Sequence, residues 1–165
     1  MIHPPVPSPL REDDLHFMAE ALALASQAAE LGEVPVGAVA VHLGKVVGRG
    51  HNRRELDRSP LAHAELLALA EAAHTLGCWR LTDVTLYATL EPCSMCAGAL
   101  IQSRIDRLVF GARDSKAGAV GSIMNLLSDY PTNHRVQVTE CVMEGECGQV
   151  LSQFFRTLRQ TNNVR

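Results

Sequence analysis

The chain has 165 residues, of which 47% are apolar, 20% charged and 4% aromatic, and its formal net charge at pH 7 is −3. A chain of this length predicts one domain with a core large enough to fold without disulfide bonds. The composition excludes wholesale disorder and a collagen-like fold, no uncharged apolar run is long enough to predict a membrane span, and the weakly acidic charge gives no sign of nucleic-acid binding.

The first half of the chain predicts a tail, a helix and a β-hairpin. Four prolines within residues 1–10 exclude a helix there and predict a flexible Pro-rich tail. Apolar residues at helical spacing follow, and two stretches rich in β-branched residues then flank Gly44. The helix is predicted from residue 13 or 14 to 31, the hairpin over 36–43 and 45–47, and a polar, Arg-rich loop over 50–60.

The second half alternates predicted helices and strands. The helices are predicted over residues 62–76, 92–103 and 148–159, with a helical turn at 122–127; the strands are predicted over 84–89, 107–110 and 136–139, with a Gly-rich loop at 111–121. This order favours an α/β domain with a mixed central β-sheet flanked by helices. We expect one domain over residues 11–160 and a short C-terminal tail over 161–165.

The five cysteines indicate a reducing compartment. Their number is odd, and the first ten residues lack both the cationic start and the apolar run of a secretory signal. We therefore expect a cytoplasmic protein in which a close cysteine pair serves metal binding or catalysis. Cys93 and Cys96 form such a pair, whereas Cys78, Cys141 and Cys147 are expected to be unligated.

Two short segments predict a zinc centre. His63-Ala64-Glu65 and Pro92-Cys93-Ser94-Met95-Cys96 each fall at the start of a predicted helix. Two thiolates and one imidazole give three protein ligands, which is the number that a catalytic zinc site uses when it keeps one position open. A carboxylate beside that position, here Glu65, can carry protons.

The two segments are more specific together than apart. Alone, Cys93 and Cys96 could be a redox pair, and residues two apart on a regular helix, such as His63 and Glu65, would point to opposite sides. In this order, however, the segments form the H-x-E…P-C-x-x-C signature of zinc-dependent nucleobase deaminases.

The chain resembles the bacterial tRNA adenosine deaminases of the cytidine deaminase-like superfamily from about Glu33 to Arg159. The segments that carry this resemblance are residues 33–38, 51–53, 62–65, 89–99, 110–114, 118–122 and 133–136. The resemblance implies a three-layer cytidine deaminase-like fold, a homodimer and no organic cofactor or membrane association. It also implies hydrolytic deamination of the wobble adenosine in a tRNA anticodon stem-loop to inosine, with release of ammonia.

The resemblance also assigns site residues. One Zn²⁺ per subunit would be held by His63, Cys93 and Cys96, and Glu65 would be the catalytic proton shuttle. The positions that match substrate contacts in the family are Asn52, Val34, Val36, Leu90, Ala112, Arg113, Asp114, Phe155 and Arg159.

Without the family resemblance, the residues themselves allow other functions. A free-base or nucleoside deaminase acting on guanine or cytosine would share every zinc residue. A protein of a different functional class, a non-catalytic zinc or RNA-binding module, is a further alternative. Arg53, Arg54 and Arg58 precede the helix that starts at His63 and could contact phosphates.

Overall fold

The computed structural model describes residues 7–129 and 131–162. The helices are α1 (Asp14–Glu30), α2 (Ala64–Leu76), α3 (Ser94–Ser103) and α4 (Glu144–Asn162), and the strands are β1 (Gly37–His42), β2 (Lys45–His51), β3 (Val84–Leu90), β4 (Arg107–Ala112) and β5 (Gln137–Thr139). The five strands form one sheet in the order β2-β1-β3-β4-β5. β1 is antiparallel to β2 and β3, whereas β4 is parallel to β3 and β5, so the sheet is mixed as predicted.

Apolar side chains cover both faces of the sheet. On one face, α2 and α3 pack through small and aliphatic residues such as Ala68 and Leu100 against Leu86 of β3. On the other face, α1 and α4 pack through residues such as Phe17 and Cys147. The predicted three-layer α/β fold, with helices on both faces of a mixed sheet, is therefore confirmed.

Glycines in the hairpin let α2 approach the sheet closely. A Cβ atom at Gly48 would lie 2.1 Å from the carbonyl oxygen of Ala68, and one at Gly50 would lie 2.2 Å from that of Ala64. Only hydrogen fits in this space, so the alanine-rich helix rests directly on β2. This contact fixes the height of the first turn of α2 above the sheet.

Most predicted elements are present with shifted ends. β2 continues to His51, four residues further than predicted, and α3 begins after Cys93 instead of at Pro92. α4 begins at Glu144 and extends past the predicted end at Arg159.

The predicted helical turn at residues 122–127 is wrong. Ser122 N donates to the Glu91 carboxylate, and Asn125 N donates to Asp129, so these amides are satisfied by side chains instead of by a helix. Val120 and Asn125 instead form an isolated β-bridge.

Both predicted tails lie partly outside the described residues, which begin at 7 and end at 162. Within the described part of the first tail, Ser8 N donates to the Val138 carbonyl oxygen at 3.0 Å, so this segment is attached to the edge strand β5. Thr161 and Asn162 of the second tail belong to α4. Among the described helices, none has the length and apolar character that crossing a bilayer requires.

Candidate active site

Three metal-ligand side chains meet where α2 and α3 begin. His63 Nδ1 lies 3.7 Å from Cys93 Sγ and 3.5 Å from Cys96 Sγ. All three donor atoms lie within 4.8 Å of one another, and within the described residues they form the group that could hold a metal ion. The structure thus brings together the two segments that the sequence places 30 residues apart.

The donor set fits zinc. Bond lengths of about 2.3 Å to sulfur and about 2.0 Å to nitrogen, at a tetrahedral angle, separate the two ligand atoms by about 3.6 Å. The observed distances of 3.7 and 3.5 Å match this separation. Soft sulfur donors with one imidazole also favour zinc over magnesium or calcium. The group in the described chain contains three protein donors, which leaves room for a ligand from solvent.

The electrostatics of the group favour metal binding. Hydrogen bonds from Cys96 and His63 lower the pKa of the Cys93 thiol to about 3, which favours its thiolate form. The hydrogen bond with Cys93 is the largest cause that raises the pKa of His63. The separate hydrogen bond between Cys96 and Cys93, followed by burial, raises the pKa of Cys96. A cation that replaced the shared protons would stabilise both thiolates.

His63 and Glu65 converge because His63 is not helical. It is the N-cap of α2 and has extended backbone angles, φ −81° and ψ 145°, while Glu65 lies in the first turn. The side chains therefore do not follow helical spacing, and both line the same pocket. The Glu65 side chain is buried, with only 4% of the residue exposed, and burial raises the pKa of its carboxyl.

A pocket of about 200 Å³ opens beside the metal donors. Its lining residues come from the segment before β1, the loop after β2, the start of α2, the end of β3 with the start of α3, and the loop after β4: Val34, Val36, Asn52, Arg54, His63, Ala64, Glu65, Leu90, Glu91, Cys93, Asp114 and Ala117. Three clefts elsewhere, of about 430, 480 and 600 Å³, are larger, but none of them is lined by His63, Cys93 or Cys96. The chemistry of the lining, not the size, identifies the site.

Asn52 is the polar group that faces this largely apolar pocket from the hairpin side. Its amide nitrogen donates to the Val34 carbonyl oxygen at 3.2 Å, and its amide oxygen accepts from Arg54 N at 3.3 Å. These bonds fix the orientation of the amide and leave one N–H and one lone pair for a ligand.

The pocket contains some of the predicted substrate contacts and not others. Asn52, Val34, Val36, Leu90 and Asp114 line it. Ala112, the last residue of β4, is instead buried in the core on the side of the sheet that α1 and α4 cover. Arg113 forms an ion pair with Glu140. Phe155 and Arg159 lie on α4 and do not line the pocket. Their roles toward a larger substrate stay predictions.

Three lining residues, Ala64, Glu91 and Ala117, had no predicted role. Ala117 belongs to the Gly-rich loop and carries no chemical signal of its own in the sequence. Glu91 belongs to the Thr89–Ala99 segment that carries the family resemblance, directly before Pro92. An acidic residue at the end of a buried strand is the signal that could have drawn attention to it.

Known deaminases are similar to this chain over most of its length. The family model of MafB19-like deaminases matches residues 12–159. A tRNA-specific adenosine deaminase of Bacillus subtilis (strain 168) is 50% identical over 151 residues, which are 92% of this chain and 93% of that protein. Its counterpart in Haemophilus influenzae is 47% identical over 154 residues, which are 93% of this chain and 89% of that protein.

Solved structures show the same fold. A structure from studies of A-to-I editing by tRNA:A34 deaminases at the wobble position of transfer RNA matches with a TM-score of 0.80 and 43% identity, covering 82% of this chain and 99% of that chain. The structure of a guanine deaminase from Nitrosomonas europaea matches with a TM-score of 0.72 and 25% identity, covering 91% of this chain and 86% of that chain.

Proposed function

Because this chain belongs to the family of tRNA-specific adenosine deaminases, we propose that it converts the wobble adenosine of a tRNA anticodon loop to inosine. The reaction replaces the C6 amino group of adenine by an oxygen atom from water and releases ammonia. The observation that supports it most is the convergence, in one small pocket, of three metal donors, a buried carboxylate and an oriented amide.

We assign His63, Cys93 and Cys96 as the ligands of one zinc ion per chain. Zinc, when bound, supplies a Lewis acid that lowers the pKa of water toward neutrality. Two thiolates and a neutral imidazole would balance the 2+ charge of zinc, and three protein donors would leave one coordination position for a ligand from solvent. Both His63 and Cys93 are helix N-caps without a side-chain capping bond, so their donor atoms are available to a metal.

We assign Glu65 as the proton carrier. Its carboxylate takes one proton from the attacking water and gives it to the ring nitrogen beside C6. It then moves the second proton of that water to the amino group, which departs as neutral ammonia while the oxygen becomes the carbonyl at C6. Burial within the pocket wall places this carboxylate away from bulk water and next to the metal donors. Each proton therefore stays within the site during its transfer.

The rest of the pocket suits a single base. Its volume of about 200 Å³ is below the range typical of drug-sized ligands, so it takes a base and not a whole nucleotide. Val34, Val36 and Leu90 supply apolar contact to the faces of the ring, and Asn52 offers one donor and one acceptor to its edge. A base must leave its stack to enter, which favours single-stranded loops as substrates.

The experiment is mass analysis of an anticodon stem-loop after incubation with the zinc-loaded protein. We expect a gain of about one dalton at the wobble adenosine, as an amino group is replaced by a carbonyl oxygen. Glu65→Ala should keep zinc and lose turnover, because it removes the proton carrier and no ligand. Turnover that survives this substitution would remove Glu65 from the mechanism.

A second candidate is deamination of a free base, which the structural similarity to a guanine deaminase favours. The two functions share all the zinc residues, so the same assay is run with free guanine, cytosine and adenosine. Ammonia release from a free base, with the stem-loop unchanged, would show that the protein is a free-base deaminase and not a tRNA deaminase.

The homodimer implied by the resemblance and the cytoplasmic location expected from the cysteines remain predictions. Leu56 and Leu61, in the loop between β2 and α2, expose 49% and 60% of their surface. Exposed apolar groups in the loop that also contains Arg54 of the pocket are compatible with a second copy of the chain there. Sedimentation equilibrium of the purified protein measures its oligomeric state directly.

A further inference from the structure

The Glu91 carboxylate sits at the centre of the loop that follows β4. Its oxygens accept hydrogen bonds from the backbone amides of Asp114, Val120 and Ser122, each at 3.0 Å, and from the Ser122 hydroxyl. Only 1% of Glu91 is exposed, and none of the ion pairs in residues 7–129 and 131–162 includes it. The loop itself therefore supplies the partners of this buried charge.

The loop wraps tightly around the carboxylate. A Cβ atom at Gly118 would lie 2.5 Å from the Glu91 carboxyl group and 2.6 Å from the Asp114 carbonyl oxygen. Ala119 N also donates to the Pro92 carbonyl oxygen at 2.8 Å. The segment from Asp114 to Ser122 is thus attached to the residues directly before Cys93.

This attachment shapes the pocket. Asp114 and Ala117 form the wall that the loop contributes. Glu91 holds the amide of Asp114 itself, and Ala117 lies between Asp114 and Val120, the next residue whose amide Glu91 holds. The Asp114 side chain accepts hydrogen bonds from the amides of Lys116 and Ala117, so it is committed to the shape of the loop. Loss of the central carboxylate would leave buried amides without partners, and the wall would shift.

We propose that Glu91 is a positioning residue that holds the loop from Asp114 to Ser122 as one wall of the pocket and thereby sets the affinity for the nucleotide. The proposal rests on the proposed function, since it concerns the same pocket. Glu91 acts on substrate binding, whereas the metal ligands and Glu65 act on the chemical step.

The test is Glu91→Gln in the zinc-loaded protein, assayed with the anticodon stem-loop. Glutamine is isosteric, but its amide nitrogen is a donor that faces backbone donors. We expect KM to rise about tenfold or more, kcat to change less than about threefold and the zinc content to stay the same. Glu91→Asp, which keeps the charge, should recover part of the affinity.

Direct binding separates this role from catalysis. In a Glu65→Ala background, adding Glu91→Gln should weaken the Kd for the stem-loop by a similar factor. The matched control is Glu71→Gln, which removes an exposed carboxylate that also accepts a backbone hydrogen bond, from Arg49 N at 2.9 Å, but lies outside the pocket. This control should leave KM, kcat and Kd unchanged.

Three outcomes would overturn the proposal. They are an unchanged KM and Kd in Glu91→Gln, a loss of zinc, or a fall in kcat with KM unchanged. If Glu91→Gln does not fold, Ser122→Ala removes one of the donors and should raise KM by a smaller factor, and an unchanged KM would also contradict the proposal.

Hydrogen exchange distinguishes this proposal from the proposed function. The amides of Val120 and Ser122 should exchange slowly in the unsubstituted protein and at least tenfold faster in Glu91→Gln, whatever the substrate is. Faster exchange without any stem-loop deamination by the unsubstituted protein would refute the proposed function and keep the structural role of Glu91. Equal exchange rates would refute that structural role.

Discussion

The carboxylate of Asp14 accepts hydrogen bonds from both terminal nitrogens of the Arg107 guanidinium, each at 2.7 Å. Asp14 is fully buried and Arg107 is 1% exposed, so this pair links the start of α1 to β4 inside the protein. The Tyr87 hydroxyl donates to the same carboxylate at 2.9 Å, and Arg11 N donates at 2.7 Å. The carboxylate thus has four donors, and the pair is fully satisfied.

We expect Asp14→Asn to destabilise the fold by about 3–5 kcal/mol at pH 7, because it leaves the Arg107 charge buried without its partner. Burial alone would raise the pKa of Asp14, but hydrogen bonds from Arg107, Arg11 and Tyr87 outweigh it and lower the pKa below the ordinary value of 3.8. A lowered folded pKa means that the stabilisation is present above the unfolded pKa and is lost as pH falls through the folded one. Urea unfolding from pH 7 to pH 2 should therefore show the two proteins converging at the acid end.

Asp13→Asn is the matched control for this change. It removes the same charge one residue earlier, but Asp13 is exposed and its side chain makes no capping bond. The free energy of unfolding should fall by less than about 1 kcal/mol, the size of a helix-dipole contribution. An equal loss in both variants would show that the buried pair has no special role.

Gly50→Ala should damage the active site from a distance. The new Cβ would lie 2.2 Å from the Ala64 carbonyl oxygen, so the first turn of α2, which follows His63, must move. Overpacking of this kind costs about 1–3 kcal/mol, and a shifted His63 should also weaken zinc binding. Thermal unfolding and a competitive zinc titration measure the two effects.

Gly98→Ala is the control for a glycine with free space. A Cβ at this position of α3 meets no atom within 4 Å, and alanine favours helix over glycine. The variant should gain about 0.5–1 kcal/mol in stability and keep its zinc affinity. A similar loss in both glycine variants would contradict the argument from close approach.

The sequence predicted the site because its chemistry is local. The spacing of Cys93 and Cys96 within one turn and the position of His63 before an alanine-rich stretch are visible without any tertiary contact. The layered α/β fold followed from the alternation of periodic segments. The exact ends of β2, α3 and α4 could not be predicted in this way, because tertiary pairing extended or shortened these elements relative to what local propensity indicates.

What the sequence could not predict depends on contacts between distant residues. Asp14 and Arg107 are 93 residues apart, and nothing near either one indicates the other. The non-helical turn after Val120 depends on Glu91, which lies 29 residues earlier. The convergence of His63 and Glu65 depends on an extended backbone at a helix cap, whereas the helical spacing alone had argued against it.

Cys96→Ser should lose most of the bound zinc, whereas the unsubstituted protein should carry about one zinc per chain. Serine is a poor zinc ligand, and the remaining two donors hold the ion weakly. Cys147→Ala is the matched control, since Cys147 is also buried but does not belong to the donor group. Metal analysis of the dialysed proteins measures this, and a reversible Cys93–Cys96 disulfide without zinc would support a redox pair instead.

Arg54→Ala should weaken binding of the stem-loop more than Arg53→Ala does. The Arg53 guanidinium is bound by Asp57 at 2.8–3.2 Å, so its charge is neutralised locally. Arg54 lines the pocket, and no ion pair in the described part of the chain includes it. The Arg54 guanidinium can therefore bind a phosphate next to the flipped adenosine. Loss of that contact in Arg54→Ala should reduce the slope of log Kd against log salt concentration by about one. Fluorescence anisotropy with the stem-loop at several salt concentrations measures the slope, and equal slopes for the two variants would refute a phosphate contact by Arg54.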